Sequence, residues 1–115
     1  MRAHSPIRFI LLLGLALATP LAFAAAGSVK IISPADGAKL DAMAQNQIVY
    51  DVQPGPGGDH THLYVDGNET AILRKLKGSY SLEGLGTGPH EICIKVVNKG
   101  HTPTGVQNCI KVTAQ

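Results

Sequence analysis

Between Val29 and Thr113 the chain breaks into short runs of strand-forming residues, and no stretch of it repeats apolar residues at the helical period. The runs fall at residues 29–33, 47–53, 61–66, 71–75, 79–82, 91–97 and 106–113. Between them stand Pro34-Ala35-Asp36-Gly37, Pro54-Gly55-Pro56-Gly57-Gly58, Asp66-Gly67-Asn68, Lys77-Gly78 and the segments 84–89 and 98–105. These residues supply turn dihedrals or cannot join a hydrogen-bonded ladder. Seven short strands at this spacing predict an all-β fold, an immunoglobulin-like (fibronectin III-like) antiparallel sandwich. The chain has no Trp, so it lacks the buried tryptophan of antibody domains.

The segment 1–24 has a different grammar. Arg2 and Arg8 precede the apolar run 9–18, which leads into Thr19-Pro20-Leu21-Ala22-Phe23-Ala24. Positive, apolar and then small residues, in that order, predict a secretory signal peptide cleaved after Ala24 or Ala26. The apolar run is too short to span a bilayer, which takes about 20 residues. No Cys lies near the cleavage point, so a lipid anchor is not expected there. Residues 27–115 are left for a single sandwich domain, periplasmic or secreted.

Cleavage removes two arginines, and with them the whole formal charge of +2. What remains is Arg74 and seven lysines against eight acids, with no clustering. A neutral surface offers no electrostatic footprint for nucleic acid or an anionic membrane. The expected partners are a metal ion or an envelope protein.

In an oxidising compartment Cys93 and Cys109 are expected to form one disulfide. Alternation along the last two strands tests that pairing. Ile92, Ile94 and Val96 share one parity, as do Val106, Ile110 and Val112, and both sets suit the core. Glu91, Cys93 and Lys95 then face outward with Gln107, Cys109 and Lys111. A hairpin register that sets Cys93 opposite Cys109 also sets Val97 opposite Gly105.

Asp59-His60-Thr61-His62 opens the third candidate strand. Side chains two apart on a strand share a face at roughly 6.6 Å, so two imidazoles can converge on one ion at about 2.0–2.1 Å from each nitrogen. By parity Leu63 and Val65 take the core, and His60, His62 and Tyr64 the outer face. In a sandwich of this kind the loop before the third strand and the loop joining the last two strands share one end. His101 lies in the latter loop, so His60, His62 and His101 form the candidate site. Three imidazoles with an open position suit copper as Cu(II) or zinc, and Met43 is the only methionine after the leader, which disfavours a soft Cu(I) site. His90 has the inward parity of Ile92 and is expected at the opposite end, hydrogen-bonded to backbone. Asp59, Asp66 and Glu69 are expected to be turn residues and solvated charges rather than ligands.

These segments resemble an exported bacterial domain-of-unknown-function family. Its members carry His-His-His-Leu-Leu-Ile-Asp, then Gly-x-His-Thr-Leu, then a His-x-Pro-His loop. Here the matching stretches are His60-Thr61-His62-Leu63-Tyr64-Val65-Asp66, Gly88-Pro89-His90-Glu91-Ile92 and His101-Thr102-Pro103-Thr104. The opening Ile31-Ile32-Ser33-Pro34-Ala35-Asp36-Gly37-Ala38 is similar as well. Thr61 and Thr104 stand where the family has two further histidines. The resemblance implies a shared fold and a histidine-rich rim, marked here by His60, His62, His90, His101 and Pro103.

Enzyme chemistry is not expected. The chain has no Gly-x-Ser-x-Gly, no sequence sign of a base beside Ser79 or Ser81, and no phosphate-cradling glycine loop before a helix. The expected function is a non-enzymatic binding domain with a metal-holding rim. Its alternative is a metal-free accessory module of the cell envelope that binds a protein or glycan.

Overall fold

Alternating apolar residues need a second apolar layer to cover them, and here two sheets supply it to each other. In the computed structural model, which describes residues 26–115 together with Ala3 and Gly14, eight strands form. They are β1 (Ser28–Ser33), β2 (Lys39–Leu40), β3 (Asn46–Gln53), β4 (His60–Val65), β5 (Asn68–Leu73), β6 (Lys77–Leu82), β7 (Gly88–Val97) and β8 (Pro103–Ala114). The expected leader otherwise lies outside the described residues. One sheet has the order β1-β3-β6 and the other β2-β8-β7-β4-β5. Among the described residues no helix is long and apolar enough to cross a membrane.

The core follows strand parity. Ile48, Tyr50 and Val52 of β3 face Leu63 of β4, Ile92, Ile94 and Val96 of β7, and Ile110, Val112 and Ala114 of β8 in one buried cluster. Burying each such aliphatic side chain stabilises the fold by about 1.5–3 kcal/mol. Asn108 has the same parity but lies at the sheet margin. There its amide donates to the Val29 carbonyl of the facing sheet at 3.2 Å, so a polar residue ties the two layers together.

Three expectations about strands need correction. β5 ends at Leu73, so Arg74 and Lys75 lie beyond it. The cause is the Asp66-Gly67 turn, whose two positive φ angles of 52° and 80° suit a two-residue hairpin, so pairing begins at once with Val65 opposite Asn68. The two-residue β2 was not expected. It lies parallel to β8, where Thr113 and Gln115 donate to the Ala38 and Leu40 carbonyls, each at 2.9 Å. Val97 opposes Pro103 rather than Gly105. Asn98 N–H donates to Thr102 O at 2.9 Å and closes the hairpin tightly, and β8 absorbs the excess residues in a bulge that includes Gly105 at φ 98°.

Below that bulge the expected register holds, from Gly88 opposite Ala114 to Lys95 opposite Gln107. Cys93 and Cys109 are directly opposed and disulfide-bonded, with Cα atoms 4.1 Å apart. The bridge fastens two neighbouring strands of one sheet on its outer face. Replacing both cysteines by Ala should lower unfolding stability by about 2–4 kcal/mol while preserving the β-sheet circular dichroism spectrum, because the ladder pairs these strands without it. A double variant that is unfolded at room temperature, or one with unchanged stability in a denaturant titration, would contradict this assignment.

Candidate metal centre

β4 begins where a glycine lets its loop lie flat on β7. A Cβ at Gly58 would stand 2.8 Å from Val96 Cγ1 and would also collide with the Pro54 carbonyl. Asp59 N–H then donates to Val97 O at 2.9 Å, which locks the start of β4 against the end of β7. From there β4 pairs with β7 in unbroken register, His60 opposite Val97 and His62 opposite Lys95. Side chains directly opposite share a face, so both histidines project on the outer face, as parity predicted.

They are not solvent-exposed, however. His60 and His62 are 1% and 3% accessible. Val97 is also fully buried yet stands apart from the main core cluster. This end of the outer face therefore carries a small buried layer of its own. Thr61, between the two histidines, points the other way into the core, where its hydroxyl has no hydrogen-bond partner.

His101 closes the layer from above. The tip of the β7–β8 hairpin is a turn in which His101 N–H donates to Asn98 O at 3.0 Å and Thr102 N–H to Asn98 Oδ1 at 3.0 Å. His101 itself takes φ 64°, a left-handed conformation that glycine adopts freely and other residues adopt at a cost. Gly100 beside it has no positive φ. The strained position is thus filled by an imidazole while the glycine stands next to it, and strain of this kind tends to collect at functional sites.

The three rings meet at their nitrogens. His60 Nε2 lies 3.1 Å from His62 Nε2 and 3.3 Å from His101 Nδ1, and the latter two are 3.0 Å apart. For metal–nitrogen bonds of about 2.0–2.1 Å, tetrahedral ligands are about 3.3–3.4 Å apart. The triangle is already within a few tenths of an ångström of that spacing.

Two carboxylates decide where the protons are. His60 Nδ1 is 2.8 Å from Asp59 Oδ2, and His62 Nδ1 is 3.1 Å from Glu69 Oε1. An ionised carboxylate only accepts, so both Nδ1 atoms must donate, and in the neutral rings both Nε2 atoms carry lone pairs directed into the triangle. One proton on His101 can serve both lone pairs, whereas one cation serves all three nitrogens. Carboxylates behind imidazoles are the usual means of orienting ligating histidines. Burial lowers the pKa of His62, against the opposing pull of Glu69, and so favours its neutral, ligating form. The hydrogen bond to His60, opposed by some desolvation, keeps Asp59 below the ordinary carboxylate range.

Asp59 and Glu69 thus lie outside the triangle, but they are more than solvated charges. Glu69 had no sequence signal. It reaches the outer face because Tyr64 pairs with Glu69 while Leu63 pairs with Ala71, which leaves Thr70 as an extra residue on β5. The second group of potential ligands, Glu91 with Cys93 and Cys109, has both sulfurs tied up in the disulfide.

His90 is elsewhere. Seven residue steps of β7, roughly 23 Å at strand rise, separate it from Val97. As expected it bonds backbone, Nε2 donating to Gly86 O at 2.6 Å, but Nδ1 also meets Asp66 Oδ2 at 2.6 Å. Both ring nitrogens face acceptors, an arrangement fully satisfied only when both carry protons, as in the imidazolium. The Asp66 hydrogen bond, followed by the Gly86 carbonyl, raises the His90 pKa, and the same pairing lowers that of Asp66.

The chain superposes on the fibronectin(III)-like modules of Clostridium thermocellum CbhA with a TM-score of 0.64 and 17% identity, over 76% of this chain and 96% of the module. The fold is fibronectin III-like. No family model matches the chain, and no curated protein matches it in sequence.

The His90–Asp66 pair sets a pH signature at the end of the sandwich away from the triangle. A raised histidine pKa contributes stability in full below its ordinary 6.5 and loses it as pH rises through the raised value. A lowered aspartate pKa contributes above its ordinary 3.8 and loses it on acidification. The stability difference between wild type and His90→Gln should therefore be largest between about pH 4 and 6.5 and shrink towards pH 9. Thermal melts across that range measure it, and a gap that widens with rising pH would contradict the imidazolium assignment.

Proposed function

We propose that this chain is a periplasmic or secreted, non-enzymatic binding domain in which His60, His62 and His101 hold one divalent transition-metal ion, copper or zinc. The observation that carries the reading is the triangle of ring nitrogens, two of them with lone pairs aimed inward by Asp59 and Glu69. Three neutral imidazoles suit Cu(II) and Zn(II), and Met43, the only methionine after the leader, is 94% exposed in the segment between β2 and β3. The two carboxylates also balance the charge of a dication. Export is supported by the disulfide, which suits an oxidising compartment, and by the leader-like sequence of residues 1–24. The likeness of the histidine segments to an exported bacterial family is part of the same reading.

A metal-free module binding an envelope protein or glycan is the competing reading. In its favour are the fibronectin III-like fold and Ile72, 46% exposed on β5 at the free edge of the larger sheet.

Calorimetric titration of the chain lacking residues 1–24 with Zn(II) and Cu(II) separates the two. Wild type should take up one ion per chain, and His62→Ala and His101→Gly should each weaken uptake strongly. His101→Gly should at the same time stabilise the metal-free fold by about 0.5–1 kcal/mol, since glycine relieves the left-handed backbone. His90→Ala should bind as wild type does. Absence of saturable uptake by wild type, or uptake by His62→Ala and His101→Gly as tight as that of wild type, would overturn the metal reading in favour of the interaction module.

A further inference from the structure

We infer that the bound ion is cargo, handed on by ligand exchange at His101 to a partner that presents nitrogen or sulfur donors on an exposed segment. The inference rests on the metal reading above and deepens it. Its basis is the inequality of the three ligands. His60 and His62 are buried on one strand, and each has a carboxylate fixing its outer nitrogen. His101 is exposed, and among the described residues no carboxylate pairs with its ring, whose Nδ1 meets His60 Nε2 at 3.3 Å and His62 Nε2 at 3.0 Å. It rides on a hairpin tip in a backbone conformation that costs energy to hold.

Position reinforces the inequality. The sheet lies beneath the two buried imidazoles of β4, and the exposed residue His101 is carried over them on the hairpin tip. An incoming donor therefore meets His101 first. In the exchange step the metal–Nδ1 bond to His101 breaks as a bond from the metal to the incoming donor forms, and the ion stays divalent throughout. The freed imidazole remains neutral or takes a proton from water, while His60 and His62 hold the ion until further donors of the partner replace them. Departure of the ion costs the fold little, because the continuous apolar core lies on the other face of the sheet and includes none of the three histidines. An ion that holds a fold together is enclosed by its ligands. This one would be held from one side.

Stopped-flow transfer of Zn(II) from the loaded protein to 4-(2-pyridylazo)resorcinol in excess tests the inference. Exchange at an exposed ligand predicts an observed rate proportional to chelator concentration, so that doubling the chelator doubles the rate. His101→Gly, loaded at high protein concentration, should transfer at least about tenfold faster at the same chelator concentration, since loss even of a group that only orients a ligand costs a metal site about that much. If zinc binds at one ion per chain but the wild-type rate is independent of chelator, the ion leaves unaided. The cargo inference then falls while the metal reading stands. A His101→Gly rate equal to wild type would likewise overturn the role given to His101. If wild type takes up Cu(II) but no zinc, the same comparison is made with the Cu(II)-loaded protein; if it takes up neither ion, both fall together.

Discussion

The register of β7 between β4 and β8 governs where every histidine of this domain ends up. Because β7 pairs with β4 so that His60 opposes Val97, the two histidines of β4 lie at the end of the sheet where β7 turns into β8. Because β7 pairs with β8 in a hairpin closed at Asn98–Thr102, His101 is carried over that same end. The Cys93–Cys109 bridge lies within this ladder and holds its register against slippage by a residue pair, which would carry His101 away from the other two rings. The same ladder places His90 at the far end, where it fastens the Asp66-Gly67 hairpin.

Two imidazoles buried on what would ordinarily be a solvated face call for a physical account. Burying polar rings without partners costs free energy, and here every inner and outer nitrogen of His60 and His62 has a neighbour. Those neighbours make a specific arrangement rather than a generic one: anionic acceptors outside, lone pairs inside. The left-handed backbone at His101 follows the same logic. Turn chemistry favours glycine at that position, so the imidazole is held there at a cost in stability. Stability is given up where the three rings meet, and it is supplied by the apolar core on the opposite face.

Much of this was legible in the sequence. Period-two alternation in Ile92-Cys93-Ile94-Lys95-Val96 fixed both the core face and the disulfide register, and the spacing of His60 and His62 fixed their shared face. What remained hidden depended on departures from regularity. The bulges at Thr70 and near Gly105 shift register by amounts that no propensity encodes, so the contact of Glu69 with His62 and the pairing of Val97 with Pro103 could not be counted out along an ideal ladder. β2 carries no sequence signal because Lys39-Leu40 is too short to alternate, and it is a strand only through its pairing with β8. The Asp66-Gly67 hairpin, by contrast, carried a readable signal. The tightest two-residue turn chemistry was present, and it implied that β5 should begin at Asn68.

The central claim is that Asp59 and Glu69 hold His60 and His62 with protons on Nδ1 and lone pairs on Nε2, ready for a shared cation. Long-range 15N–1H correlation spectra of the histidine side chains test it directly, recorded on the metal-free protein near pH 7.5 and again after one equivalent of Zn(II). The account predicts the Nδ1–H tautomer for His60 and His62 in both spectra, with metal-induced shifts at their Nε2 atoms and at Nδ1 of His101 and none at His90. Nε2–H tautomers in the metal-free protein, or histidine spectra that zinc leaves unchanged, would contradict it.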